Sequence, residues 1–181
     1  MIWLIDTNIL LRLVQVADAQ HTEARNAVDK LLAQNFTLCL LLQNVSEFWN
    51  VCTRPLDKNG FGFSIAQADA ELTKIESVFD ILPDTEEVYR NWRELIVNHS
   101  VSGVQVHDAK IVAAMKAHDI QNLRTFNAKD FKRYTETRRA KRCIDSYTRK
   151  GERFNFCNND LLMDLWKNTK KQILFFMQRL Q

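Results

Sequence analysis

Apolar residues in the first 134 positions alternate between short continuous runs and longer stretches with helical spacing. The runs Ile2–Ile5 and Leu38–Leu42 predict buried strands, and residues 79–82 and 123–126 predict two shorter ones. The stretches between these runs place apolar side chains three and four positions apart, as on one face of a helix. The predicted helices lie near residues 9–14, 24–32, 44–49, 65–78, 84–96 and 108–118. Alternating strands and helices are typical of an α/β fold with a mainly parallel sheet.

Polar residues mark several of the predicted helix starts. Thr7 or Asn8 can cap the first helix, and a helix begins near Asn44–Ser46. Ser64-Ile-Ala-Gln67 has the spacing of a capping box. Asp84-x-x-Glu87 predicts another helix start, and residues 54–63, with one proline and two glycines, predict a loop.

Length and charge divide the chain into two parts. The 181 residues suffice for one domain with an appendage, and the net charge of +3 is too small to indicate nucleic-acid binding by itself. Residues 1–134 carry 14 basic and 17 acidic side chains, whereas residues 135–181 carry 11 and 5. We therefore predict a core domain over 1–134 and a basic appendage over 135–181.

The sequence shows no targeting or membrane-spanning segment. The apolar run Ile2–Ile5 stops at Asp6 and has no basic segment before it, and no run approaches the ~20 apolar residues that a transmembrane helix needs. The four cysteines are far apart, and Cys39 lies in an apolar run, so we expect a buried thiol and a reducing, cytoplasmic location.

Four acidic residues stand where a parallel sheet would bring them together. Asp6 ends the first strand, Glu47 lies at the start of the helix after the second, Asp108 opens a helix, and Asp130 follows the last strand. Ligands bind at the carboxyl ends of parallel strands. Clustered carboxylates repel one another unless a cation is bound, and hard oxygen ligands suit Mg²⁺ or Mn²⁺. Such a metal supports hydrolysis of phosphodiesters.

A simpler interpretation of these acids stays open. An acid in the first turn of a helix stabilises the helix dipole without any metal, which would explain Glu47 and Asp108. Asp6 is harder to explain this way, because a charge directly after four apolar residues is costly to bury.

Four motifs in order resemble the PIN domain, in particular the VapC-type toxin ribonucleases. They are Ile5-Asp-Thr-Asn-Ile-Leu10, Ser46-Glu-Phe48, His107-Asp-Ala109 and Leu123-Arg-Thr-Phe-Asn-Ala-Lys-Asp-Phe131. The resemblance covers about residues 1–134. It implies a three-layer α/β/α sandwich, Mg²⁺ or Mn²⁺ as cofactor, and cleavage of RNA by an endonuclease. It also implies an antitoxin partner, as in type II toxin–antitoxin pairs, and a homodimer; membrane contact is not expected.

The resemblance also assigns roles to individual residues. Asp6, Glu47 and Asp108 would be the catalytic metal ligands. Many relatives have an acid where this chain has Asn127. Asp130 would therefore supply the fourth carboxylate, Asn127 would complete the site, or the site would work with three acids. Residues expected to position substrate or water are Thr7, Asn8, Thr125 and Asn127.

The segment after Tyr134 departs from the family pattern. No closing strand is predicted there; instead the basic residues Arg138, Arg139, Lys141 and Arg142 precede apolar positions with helical spacing between 162 and 180. The basic run could contact RNA phosphates, and the helix could pack on the sheet edge or bind a partner or a membrane surface. The segment could also be a frameshift or read-through product.

Other functions fit the same residues. Asn127 and the altered tail are also consistent with an RNA- or partner-binding domain whose nuclease centre is impaired. A phosphatase or a flap nuclease with the same acidic site is a third interpretation, although the chain is short for the extra elements of a flap nuclease.

Overall fold

The computed structural model describes residues 1–134 in full and the backbone of two further strands, 143–147 and 153–155. Its strands are β1 (Ile2–Ile5), β2 (Thr37–Leu41), β3 (Asp80–Leu82), β4 (Asn122–Arg124), β5 (Cys143–Tyr147) and β6 (Arg153–Asn155). Its helices are α1 (Thr7–Val14), α2 (His21–Ala33), α3 (Leu42–Thr53), α4 (Ile65–Glu76), α5 (Glu86–Asn98), α6 (Gln105–Ala117) and α7 (Ala128–Phe131). Short 3-10 turns cover Leu56–Lys58 and Lys132–Tyr134.

These strands form a single sheet in the order β3-β2-β1-β4-β5-β6. All neighbours from β3 to β5 are parallel, and β6 pairs antiparallel with β5. The central strand β1 pairs with β2 on one side and β4 on the other, with Ile5 opposite Arg124. The predicted mainly parallel sheet is therefore confirmed.

Helices cover both faces of the sheet. The alternation of side chains along β1 sends Leu4 into one core cluster and Trp3 and Ile5 into the other. The Leu4 cluster contains buried residues of α5, α6 and α7, and the opposite cluster contains buried residues of α1 to α4. This arrangement is the predicted three-layer α/β/α sandwich.

The starts of α3 and α5 differ from the sequence prediction, and α6 begins at Gln105, three residues before the predicted start at Asp108. α3 begins at Leu42, before Asn44, because the Asn44 side-chain oxygen accepts a hydrogen bond from the Leu41 amide at 2.9 Å.

α5 is capped by Thr85, whose hydroxyl accepts from the Val88 amide, while Asp84 forms an ion pair with Lys110 at 2.7 Å. The Ser64 capping box at α4 is confirmed.

The start of α1 also differs. It follows Asp6 with no side-chain hydrogen bond at the cap, so neither Thr7 nor Asn8 caps this helix. Both side chains make contacts far along the chain instead, and these contacts belong to the site described below.

The predicted absence of a strand after Tyr134 is wrong. Cys143–Tyr147 extends the sheet as β5, parallel to β4, and Arg153–Asn155 adds β6. β5 is paired on both sides through backbone atoms, and its sequence Cys-Ile-Asp-Ser-Tyr contains no apolar run, which is why the sequence pattern did not reveal it. Because a strand is present after Tyr134, the expected lack of one no longer supports a frameshift. The sheet extends past residue 134, where the core domain was predicted to end.

The other features predicted for the appendage lie outside the described residues. These are the basic run Arg138–Arg142 and the apolar helix predicted between 162 and 180. Within residues 1–134, Cys39 and Cys52 are buried free thiols, as predicted for Cys39. Among the described residues we find no helix that combines the length and the hydrophobicity of a membrane span.

Leu4 provides a test of the two-sided core. It is fully buried at the centre of the sheet, whereas Leu56 is 75% exposed. We expect Leu4→Ala to lower the free energy of unfolding by about 2–5 kcal/mol, because it removes packed methyl groups and leaves a cavity. Leu56→Ala should change it by less than about 0.5 kcal/mol in the same urea titration. Equal losses in the two variants would contradict this packing.

Candidate metal and catalytic site

The carboxyl ends of β1 and β4 place two polar residues side by side. Asp6 directly follows β1, and Thr125 directly follows β4. Because Ile5 lies opposite Arg124, the next residue of each strand is also adjacent, and the Asp6 amide donates to the Arg124 carbonyl at 3.0 Å. Parallel pairing thus brings together two residues 119 positions apart.

The Asp6 carboxylate is buried and held by neutral donors. Only 8% of the residue is exposed. The Thr125 hydroxyl donates to Asp6 Oδ2 at 2.6 Å, and Asn8 Nδ2 donates to the same oxygen at 2.7 Å. The Phe126 amide in turn donates to Asn8 Oδ1 at 3.2 Å, which fixes the Asn8 side chain.

Charge at Asp6 is disfavoured in this environment. Burial raises the pKa of Asp6 from 3.8 to about 6, the Thr125 hydrogen bond opposes this shift, and repulsion from Glu47 and Asp108 adds to it. The ionised carboxylates of three different elements therefore act on one another. A nearby cation would relieve this repulsion.

Glu47 is oriented from two sides on α3. The Thr7 hydroxyl donates to Oε2 at 2.7 Å, and Gln43 Nε2 donates to Oε1 at 2.7 Å. Asn44 Nδ2 donates to the Thr7 hydroxyl at 3.1 Å and so directs its proton towards Glu47. The Glu47 side chain remains 36% exposed. It is fixed in direction but open to a ligand.

Asp108 and Asp130 complete the acidic group. Asp108 lies in the first turn of α6, and its pKa is raised by burial and then by the charges of Asp130 and Glu47. His107 and Arg133 act in the opposite direction on the same carboxyl. All four predicted carboxylates are thus linked by electrostatic interaction.

Asn127 contacts the site only through its backbone. Its amide donates to the Thr125 hydroxyl at 2.9 Å, whereas its side chain is exposed and does not cap α7. Asp130, by contrast, acts directly on Asp108. Arg138, Arg139, Lys141 and Arg142, predicted to contact RNA phosphates, lie outside the described residues.

Sequence reasoning missed Gln43 and Asn44. Both are buried on α3, and they contact Glu47 and Thr7 respectively. One signal was available, because Gln43 stands four positions before Glu47 and residues at that spacing share a helix face. Because the helix was predicted to begin near Asn44, Gln43 was not placed on the same helix face as Glu47.

The donor set fits a hard divalent cation held by few protein ligands. Carboxylate oxygens dominate the site, as Mg²⁺ and Mn²⁺ prefer. Among residues 1–134, however, no three acidic, histidine or cysteine side chains form a group that could hold one ion. Mg²⁺ is usually bound by one or two carboxylates together with waters and substrate phosphates, so this geometry remains compatible with it.

The chain matches a known protein family over most of its length. The family model described as the PIN domain matches residues 3–136, which is most of the chain. The chain belongs to the PIN domain family. None of the curated proteins compared with it matches significantly.

Solved structures support the PIN fold. VapBC2 from Rickettsia felis, bound to a promoter DNA fragment, aligns with a TM-score of 0.55 at 21% identity over 74% of this chain and 92% of its own. VapBC-1 from nontypeable Haemophilus influenzae aligns with 0.54 at 19% identity over 75% and 94%. VapC20 from Mycobacterium tuberculosis, a sarcin-ricin loop cleaving toxin, aligns with 0.50 at 20% identity over 67% and 86%.

Ionisation of the buried Asp6 carboxyl should lower the free energy of unfolding of this PIN domain. The fold holds the Asp6 proton more tightly than the unfolded chain does, since its pKa is about 6 instead of 3.8. Raising the pH from 4 through 6 should therefore lower the free energy of unfolding, by up to about 3 kcal/mol for this group. Asp6→Asn cannot ionise and should escape this loss.

We expect metal-free Asp6→Asn to melt at a higher temperature than the native protein at pH 7.5, with the difference shrinking at pH 4.5. Thermal unfolding in EDTA at both pH values measures this. A constant difference across that range would show that Asp6 ionises in the fold as it does in water.

Proposed function

We propose that this PIN domain is a metal-dependent endoribonuclease, the toxin component of a type II toxin–antitoxin pair. The observation that carries the proposal is that hydrogen bonds of Thr7 and Gln43 connect the chain segments bearing Asp6, Glu47 and Asp108. In this arrangement the charges of Glu47 and Asp108 add to the raised pKa of Asp6. A fold that only needed a packed core would gain stability by replacing these acids. The presence of these acids is explained if a cation binds there and relieves their repulsion.

Asp6, Glu47, Asp108 and Asp130 would hold Mg²⁺ or Mn²⁺, with one or two of them in direct contact. When bound, the metal would lower the pKa of a water molecule and screen the charge of the phosphodiester. Thr125 and Asn8 would keep the Asp6 carboxylate in place, and they do so with neutral donors that leave its negative charge intact. Asn127 would contribute its exposed amide to substrate or water.

RNA is the proposed substrate and an antitoxin protein the proposed partner. The support comes from the VapBC complexes and the sarcin-ricin loop cleaving toxin among the structures that share this fold. We further propose that the protein acts in the cytoplasm as a homodimer. The basic residues Arg138, Arg139, Lys141 and Arg142 would add salt-dependent affinity for RNA phosphates.

Cleavage of RNA tests this function directly. A fluorescent single-stranded RNA should be cut in MnCl₂ or MgCl₂ and spared in EDTA. Asp6→Asn, purified in parallel, should lose cleavage to background while retaining a cooperative unfolding transition, since its neutral side chain preserves the local hydrogen bonds. Cleavage by Asp6→Asn equal to that of the native protein would refute the assignment, and a DNA of the same sequence tests the choice of substrate.

Mutation can distinguish the contributions of Asp130 and Asn127 to the site. Asp130→Asn removes a charge that acts on Asp108 and should weaken both Mn²⁺ binding and cleavage. Asn127→Ala removes only an exposed amide and should weaken cleavage less, with Mn²⁺ affinity unchanged. The reverse order in a Mn²⁺ titration would assign the fourth position to Asn127.

A binding domain with an impaired centre is the second candidate. The absence of a ready three-ligand group in residues 1–134 favours it, as does the asparagine at position 127. Such a protein would bind RNA or a partner with no dependence on Mg²⁺ or Mn²⁺. Binding of the same RNA in EDTA without cleavage in either metal would support this candidate.

A further inference from the structure

Gln43 joins the two helices that carry Glu47 and Asp108. Its Nε2 atom donates to Glu47 Oε1 at 2.7 Å and to the backbone carbonyl of His107 at 3.3 Å. His107 directly precedes Asp108 on α6. One buried amide therefore bridges α3 and α6 where each helix presents an acid.

The orientation of this amide is determined by its partners. Glu47 Oε1 and the His107 carbonyl are both acceptors, so only the Nε2 end of Gln43 can face them. The Oε1 end then points into the protein, where it is buried and has no hydrogen-bond partner among the described residues. A buried acceptor without a partner costs stability, and a methionine of similar size would avoid that cost. Packing alone does not account for a glutamine here.

Its contact with Glu47 complements that of Thr7. Thr7 donates to Oε2 and Gln43 to Oε1, so each carboxylate oxygen receives one neutral donor. The ring of His107 lies 3.9 Å from Oε1 and is 61% exposed, too far to replace the amide. Neutral donors orient the carboxylate while its full charge stays available to a cation.

We propose that Gln43 is a positioning residue for divalent-cation binding, which sets the direction of the Glu47 carboxylate and its placement relative to α6. The inference rests on the proposed function only in assuming that Mg²⁺ or Mn²⁺ binds at this edge of the sheet. Hydrogen-bond partners that orient metal ligands typically contribute 10- to 100-fold to metal affinity.

Calorimetric titration of the metal-free protein with MnCl₂ tests the proposal. Gln43→Met keeps the side-chain volume but cannot donate, and it should weaken Mn²⁺ binding by about 10- to 100-fold. Its melting temperature in EDTA should equal or exceed that of the native protein, because the unpaired oxygen is removed. Gln121→Met is the matched control: Gln121 is exposed and precedes β4, at the opposite edge of the sheet, so its Mn²⁺ affinity should not change.

The outcomes separate this inference from the proposed function. Native affinity for Mn²⁺ in a folded Gln43→Met would overturn the role of Gln43 alone. No Mn²⁺ binding by the native protein would overturn the metal site and this inference with it. If Gln43→Met does not fold, Gln43→Asn, which is too short to reach both partners, gives the same comparison: weakened binding supports the proposal and unchanged binding refutes it.

Discussion

The carboxylate of Asp6 is removed from water at the end of the central strand. This burial costs free energy, and hydrogen bonds from the surrounding side chains offset part of that cost. Asp6 directly follows β1 and is buried, and the parallel neighbour β4 places Thr125 beside it. Two neutral donors stabilise Asp6 without cancelling its charge. The charge of this residue therefore still acts on Glu47 and Asp108.

Neutral hydrogen-bond donors also hold the second carboxylate of the site. Thr7 and Asn8 follow Asp6 at the start of α1, but their side chains donate to different carboxylates: Asn8 contacts Asp6, and Thr7 contacts Glu47, 40 residues away. Gln43 adds the link to α6. Hydrogen bonds from neutral side chains to Asp6, to Glu47 and to the His107 carbonyl thus connect three helices and the ends of two strands. Electrostatic repulsion within that geometry is the feature that a cation would remove.

Sequence patterns predicted the parts of this arrangement that depend on apolar runs. The strand Ile2–Ile5 was predicted to the residue, and a parallel sheet then implied that Asp6, Glu47 and Asp108 would share one edge. The likeness to PIN domains supplied the expected chemistry, which spacing alone could not. Position in the sheet was thus predictable from local hydrophobicity and topology.

What escaped prediction depends on contacts between distant segments. Thr7 had the local signature of a helix cap, but its hydroxyl is directed to Glu47 by the fold of α3. Gln43 was missed because the helix was predicted to begin after it, so its position four residues before Glu47 was not recognised as one helix face. β5 was missed because its pairing with β4 needs backbone atoms that every sequence possesses.

Thermal unfolding of the metal-free native protein with increasing MnCl₂ tests the central claim most directly. If the acids form a cation site, Mn²⁺ at about 100 times its Kd should raise the free energy of unfolding by about 2.7 kcal/mol. The rise should be absent in Asp6→Asn. A native protein with a cooperative transition that Mn²⁺ does not shift would contradict the claim, because the repulsion among these carboxylates would then have no cation to relieve it.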